Sequence, residues 1–304
     1  MLGIVLFVDD GLDTGPFARE FDGELECADR VAPQERARVV ALVTGAAPIG
    51  APELEPYPSL RLVLTCSTGI DHLDMGELTR RGLTVFHTPT YCSDEVADHA
   101  LACVLAGWRG LWRLGEEVRA GEWQPLTVLR RFDAQRLGVI GLGRIGCGLA
   151  RRALALGIEV VGYDPYASPP EGVKPVGLED LLSTSDAISL HLPGSPGTPP
   201  LLDAGRVATI KRGAVLVNLA RAALVDLDAV VAALRSGALS AAAWDVWPQE
   251  PPEPGDERLR TRGLLVTPHV GWSSPEAELA YRAEAFAALR DTLIRGREPA
   301  TRVR

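Results

Sequence analysis

Residues 136–164 read RLGVIGLGRIGCGLARRALALGIEVVGYD, and the fold turns on this stretch. An apolar run, Leu137 to Ile140, leads directly into Gly141, Gly143 and Gly146, spaced as GxGxxG at the mouth of a helical pattern. The first glycine permits a tight turn and the second lets the backbone approach a pyrophosphate. The third lets helix and strand pack closely, with the helix N-terminus facing the anion. Arg144 and Ile145 complete the loop, and Asp164 ends the next strand, 18 residues beyond Gly146. A carboxylate there accepts hydrogen bonds from both ribose hydroxyls of a dinucleotide and repels a 2′-phosphate, so the stretch predicts NAD rather than NADP. The plainer alternative, a glycine-rich turn without a ligand, does not account for strand, helix and acid arriving together.

Outward from this centre the chain alternates short apolar runs with polar segments of helix length, the βαβ signature of a parallel sheet. Upstream, strands are expected at Ile4 to Val8, Val39 to Val43, Leu62 to Thr65 and Leu83 to Phe86. Downstream they are expected at Glu159 to Tyr163, Ala187 to Leu190, Ala214 to Asn218, Ala241 to Val246 and Leu264 to Thr267. Between the two series Ser93 caps a long amphipathic helix whose apolar positions run from Val96 through Trp108 to Leu111 and Trp112. A core-facing helix is its default reading, and its length and tryptophans also suit a subunit contact. PQEPPEPG at 248–255 excludes helix and central strand and reads as a stiff loop. Pro275 to Arg295 reads as a helix with no room for a domain of its own, so it must dock on one already built.

The 304 residues, 46% hydrophobic, suffice for two domains of ordinary size. A net charge of −9 supplies no basic face for a phosphate backbone, so a nucleic-acid partner is not expected. The opening MLGIVLFVDD lacks a basic n-region and a cleavage site and reads as a buried strand. No apolar run is long enough to cross a bilayer, so no membrane partner and a cytoplasmic location are expected. The five cysteines are scattered without CxxC or Cys/His metal spacing, which predicts reduced thiols and no metal.

Ligands of an open α/β sheet sit outside the carboxyl ends of the strands. Three polar residues fall there: Arg221 in NLAR, Glu250 after DVWPQ, and His269 after LLVTP. Together they suit reduction of a keto acid, with an arginine for carboxylate and developing oxyanion, a histidine for the proton, and a carboxylate to keep the histidine charged. Each alone has a plainer reading, as a surface ion pair, a solvated loop charge and a hydrogen-bonded histidine respectively.

The order GLGRIG, YD, NLAR with LVD, DVWPQEP and TPHVG resembles the D-isomer-specific 2-hydroxyacid dehydrogenases, from about Cys66 to the C-terminal helix. The resemblance implies an α/β fold of two doubly wound Rossmann-like domains. One is a flavodoxin-like, discontinuous substrate domain (1–98 and 274–304), and the other an inserted NAD-binding domain (99–273). It implies that Arg221 binds a small 2-hydroxy or 2-keto acid, that His269 is the acid/base and that Glu250 pairs with it. It places Asp245 and the Ala220 carbonyl beside the nicotinamide carboxamide, with His191, Pro193 and Thr198 elsewhere along the cofactor groove. CSTGIDHLD at 66–74 matches the family's substrate loop, so the amides of Thr68 and Gly69 are expected to cradle the carboxylate. It also implies a homodimer.

Two features depart from the general pattern. Ala222 stands where the family usually has glycine and is strained if that position needs positive φ. TPTYCSDEVADHA and HVGWSS look most like the branch containing the C-terminal-binding corepressors, which makes Trp272 a candidate substrate wall, its alternative being an interface aromatic. That branch keeps a rival open, an NAD-sensing scaffold with little turnover. Formate- and phosphite-oxidising relatives are disfavoured by Glu250 and by a CSTG loop without lysine. His72, His87 and His99 show no partner pattern and are read as structural, and Arg130 and Arg131 as solvated, with a second substrate anion as their alternative.

Overall fold

The computed structural model describes residues 3–8, 12–21, 23–123, 129–194, 197–299 and 301–303. The chain forms two compact units, Met1–Cys92 with Ser274–Arg304, and Ser93–Ser273.

In the first unit β1 (Ile4–Phe7), β2 (Glu26–Ala28), β3 (Val39–Thr44), β4 (Leu62–Thr65) and β5 (Thr84–His87) form a parallel sheet in the order β2-β1-β3-β4-β5, the flavodoxin-like order. β1, β3 and β4 are buried along their whole length, as their unbroken apolar runs require of strands covered on both faces. Helices α1 (Gly15–Phe21), α2 (Ala51–Leu54) and α3 (Met75–Arg80) connect them. The helix Pro275–Leu289 belongs to this unit: Phe286 meets Phe21 with ring centroids 4.8 Å apart, and Tyr281 meets Tyr91 edge-on at 5.8 Å. The chain end then runs beside β5, where Val303 N–H donates to Val85 O at 2.9 Å.

The second unit opens with α4 (Ser93–Trp108) and α5 (Leu111–Arg119). The amphipathic pattern does not continue as one helix to Trp112, because Gly110 turns the backbone at φ 59° between them. There follow β6 (Arg136–Ile140), α6 (Arg144–Ala155), β7 (Glu159–Tyr163), β8 (Lys174–Pro175), α7 (Leu178–Thr184) and β9 (Ala187–Leu190). α8 (Ala204–Thr209), β10 (Ala214–Asn218), α9 (Leu227–Arg235), β11 (Leu239–Trp244) and β12 (Leu264–Val266) complete the unit. The strands pair in parallel in the order β12-β11-β10-β9-β6-β7-β8, reversing direction of growth between β6 and β9. That switch point is where doubly wound sheets bind nucleotides.

The unit boundary falls at Cys92/Ser93, six residues before the expected 98/99, since α4 packs on α6 and on β9, β10 and β11 of the second unit. A Cβ on Gly107 would approach Val215 Cγ1 to 2.7 Å and one on Gly148 would approach Ala97 Cβ to 3.2 Å, so small residues set both contacts. Trp108 Nε1 donates to the Asp186 carbonyl at 3.0 Å. Among the described residues no helix is long and apolar enough to cross a membrane, and no cluster of three His, Cys, Asp or Glu is placed to hold a metal.

Candidate active site

The glycine loop is built by steric necessity. Gly141 has φ +94°, and a Cβ there would stand 2.5 Å from the His191 carbonyl oxygen. A Cβ on Gly146 would stand 1.9 Å from the Gly141 carbonyl oxygen, so only glycine lets α6 rise this close to β6. Gly143, the N-cap of α6, is different: a Cβ there meets no protein atom within 4 Å. Its lack of a side chain serves no internal packing and leaves a bare approach to the helix N-terminus, where Arg144 and Ile145 form the first turn. At the tip of β7, Asp164 accepts from Leu142 N (2.8 Å), Tyr166 N (2.8 Å) and Ala167 N (2.9 Å). Burial works against its charge, but the three amides outweigh it and hold the carboxyl below its ordinary pKa. The bare loop, the open helix end and the fixed carboxylate fit a dinucleotide with free ribose hydroxyls.

His191 lies across the loop at the end of β9. Its backbone amide donates to Ile140 O at 2.7 Å and its Nε2 lies 2.9 Å from Ser189 Oγ. Desolvation pushes its pKa down to about 4, so the ring is neutral. Pro193 and Thr198 follow in the sequence, and both are exposed.

β10 ends in Asn218, wholly buried, which organises the next turn: Oδ1 accepts from Ala220 N at 3.1 Å and Nδ2 donates to Arg221 O at 2.9 Å. Arg221 is thereby held with its side chain across Gly194, where a Cβ would collide with its Cγ at 2.9 Å. The Ala220 carbonyl accepts from Arg221 Nη1 at 2.7 Å. Ala222 opens a short 3₁₀ turn and has no positive φ, so the strain that would follow from replacing glycine there is absent.

Past β12 the chain reaches His269, the one non-glycine residue with positive φ (54°) among those described. Asp245, 4% exposed, holds both sides of it: Oδ1 accepts from Thr267 Oγ1 (2.5 Å) and Val270 N (2.9 Å), Oδ2 from Gly271 N (2.8 Å). His269 Nδ1 meets Glu250 Oε2 at 2.6 Å, and Glu250 Oε1 accepts from Trp247 N at 2.7 Å. The hydrogen bond to Glu250 raises the His269 pKa against the opposing effect of burial. Burial in turn opposes the Glu250 charge, but the bonds from His269 and Trp247 and the charges of His269 and Arg221 leave its pKa lowered. The proline-rich loop carrying Glu250 is stapled by Trp247 Nε1 to Asp256 Oδ2 (3.2 Å), with Arg258 over the indole ring at 5.6 Å. Trp272, half-buried, follows Gly271 directly.

Arg221, Glu250, His269, Asp245 and Ala220 thus gather at the carboxyl ends of β10, β11 and β12, the edge that also carries the glycine loop. Arg130 does not join them. It pairs with Asp186 at 2.9 Å, where Asp186 takes the amide of Arg136 at the start of β6, the opposite edge of the sheet; Arg131 pairs with Asp133. Asn218, Thr267, Ser189 and Asp256 were not singled out in the sequence, because they act on backbone or on one neighbour and leave no motif.

In the first unit the segment after β4 has an ordered scaffold. Ser67 O accepts from Thr88 N (3.2 Å), Thr68 O lies 3.0 Å from His87 Nδ1, and Gly69 O accepts from Ser67 Oγ (2.6 Å). The amides of Thr68, Gly69 and Ile70 have no acceptor among the described residues.

Residues 101–271 match the model of the D-isomer specific 2-hydroxyacid dehydrogenase, NAD binding domain. The chain is 35% identical to a glycerate dehydrogenase of Methylorubrum extorquens, over 79% of this chain and 80% of that one. It is 34% identical to a D-3-phosphoglycerate dehydrogenase of Archaeoglobus fulgidus over 76% of this chain, but spans only 45% of that longer protein. The structure of an Aquifex aeolicus D-lactate dehydrogenase complexed with NAD and lactic acid superposes with a TM-score of 0.83 at 26% identity, covering 97% of this chain and 98% of the other.

Proposed function

The chain belongs to the D-isomer-specific 2-hydroxyacid dehydrogenases, with that family's NAD-binding domain, and from this premise we propose that it reduces a small 2-keto acid to the D-2-hydroxy acid. The observation that carries the reading is the 2.6 Å His269–Glu250 pair, a histidine whose charged form is favoured by its carboxylate at the strand edge that also bears Arg221. Residues 93–273 hold the cofactor and residues 1–92 with 274–304 take up the acid. Gly141, Gly143, Arg144, Ile145 and Gly146 receive the pyrophosphate, Asp164 the ribose, and His191, Pro193, Thr198, Ala220 and Asp245 line the remainder of the groove.

Nicotinamide, when bound, supplies the hydride that reaches the carbonyl carbon. The chain's own part is to orient the acid and move the proton. Glu250 occupies Nδ1 of His269, so Nε2–H gives its proton to the carbonyl oxygen as that oxygen gains charge. Arg221 steadies the growing charge, and the amides of Thr68 and Gly69 hold the carboxylate. The histidine finishes neutral, still donating to Glu250. Trp272 borders the substrate in this reading.

Glycerate and lactate, named for the relatives, are both short unbranched acids, which makes hydroxypyruvate, glyoxylate and pyruvate the first substrates to try. The test is NADH oxidation by the purified protein against these, phenylpyruvate and oxaloacetate, with the product's chirality determined. Turnover to the D isomer supports the proposal; tight NADH binding without turnover on any acid favours the sensor reading instead. A homodimer is part of the proposal, since Leu111, Val118 and Trp123 are 61%, 51% and 75% exposed at and just beyond α5. Light scattering at twice the 32.5 kDa chain mass supports it, and a monomer removes it.

A further inference from the structure

We infer that His87, read from the sequence as merely structural, is a positioning residue that sets the carboxylate-binding amides of the 66–70 segment. The inference rests on the reading above that this segment takes the acid.

Thr68 O can only accept, so the 3.0 Å contact requires the hydrogen on Nδ1 of His87 and fixes its tautomer. Ser67 gives its hydrogen to Gly69 O at 2.6 Å, so the 2.6 Å contact between Thr65 and Ser67 is a donation from Thr65, whose one hydrogen also faces the Gly45 carbonyl at 3.2 Å. His72 Nε2, 3.0 Å from Thr65 Oγ1, is then the donor to Thr65. The result is a directed chain, His72 to Thr65 to Ser67 to Gly69 O, beside a second donation from His87 to Thr68 O.

Three consecutive peptide units are therefore anchored by their carbonyls: Ser67 O by the Thr88 amide, Thr68 O by His87 and Gly69 O by Ser67. In a trans peptide the N–H points opposite to the C=O. Each anchored carbonyl turns the amide of its own peptide unit away from the anchoring group, and the amides of Thr68, Gly69 and Ile70 have no protein acceptor among the described residues. Successive amides arranged in this way form an anion-binding nest. His87 acts on the central unit: its N–H polarises the Thr68 carbonyl and makes the Gly69 amide of the same peptide a stronger donor. The nest thus extends to Ile70, one residue beyond the Thr68–Gly69 pair.

The test uses steady-state kinetics of the whole enzyme with the best acid of the panel, kcat and KM separated, and NADH affinity measured by fluorescence. His87→Ala and His87→Leu should each raise KM about five- to tenfold, the effect of losing one hydrogen bond, with kcat and NADH affinity unchanged. His87→Asn, whose side-chain amide keeps a donor on β5, should restore KM to near the wild-type value, which a role in packing alone would not produce. The leucine variant fills the space left empty in the alanine variant, so either one can carry the test. Unchanged KM in both, or a fall in kcat instead, overturns the inference. Gly69→Pro, which deletes the amide itself, separates the two levels: KM raised by it but not by His87→Ala means that His87 has no part. KM untouched by Gly69→Pro means that the segment does not bind the acid.

Discussion

Thr267, Val270 and Gly271 all donate to one buried carboxylate, and the residue between them, His269, sits at φ 54° as a consequence. Left-handed backbone costs a non-glycine residue about 1–2 kcal/mol, so the turn persists because Asp245 over-determines it. Asp245→Asn should replace one accepting oxygen by a donor facing donors, lowering stability by about 1–3 kcal/mol in denaturant titration and depressing kcat as His269 loses its position. Glu250→Gln tests the charge instead. Because Glu250 raises the His269 pKa, the reduction rate should fall as pH rises through a value above the ordinary histidine one. Without the carboxylate that limb should move to lower pH, read from kcat/KM against pH. The sign for stability follows from the same shifts. The pair stabilises fully below the unfolded histidine pKa and above the unfolded glutamate pKa. It is lost as pH rises through the folded His269 value or falls through the folded Glu250 value. With side chains 47% and 39% exposed, solvent screens this contribution.

At the scale of elements, the strands buried on both faces were legible as apolar runs, and the loop GLGRIG was legible because packing forbids any residue but glycine at Gly141 and Gly146. β2 and β8, three and two residues long and only partly buried or exposed, carry no such pattern and went unread. The break at Gly110 was hidden because apolar spacing continues across it into Leu111 and Trp112. Asn218 and Thr267 in the second unit, and His87 within the first, bond to backbone or to a single carboxylate, and such bonds need no spacing rule. Gly146→Ala is the direct test of the close approach between α6 and β6. With a Cβ 1.9 Å from the Gly141 carbonyl, it should cost about 1–3 kcal/mol of stability and weaken NADH binding, measured by titration of protein fluorescence.

On the scale of the whole chain, residues 274–304 return to the unit formed by residues 1–92 and complete it, with Ala277, Tyr281, Ala285, Ala288 and Leu289 buried. A chain ending at Ser273 should expose that apolar surface and bind a hydrophobic dye, while the second unit, complete within 93–273, retains NADH affinity. Retained dye exclusion would mean that the helix is dispensable to the first unit. In the proposed reaction His269 delivers the proton. The measurement that meets it most directly is the steady-state rate of NADH oxidation by His269→Ala on the acid that the wild-type enzyme reduces fastest, with NADH affinity checked in parallel. Loss of a general acid should lower kcat about 10²–10⁴-fold with NADH affinity preserved. A variant turning over at the wild-type rate would mean that His269 does not deliver the proton.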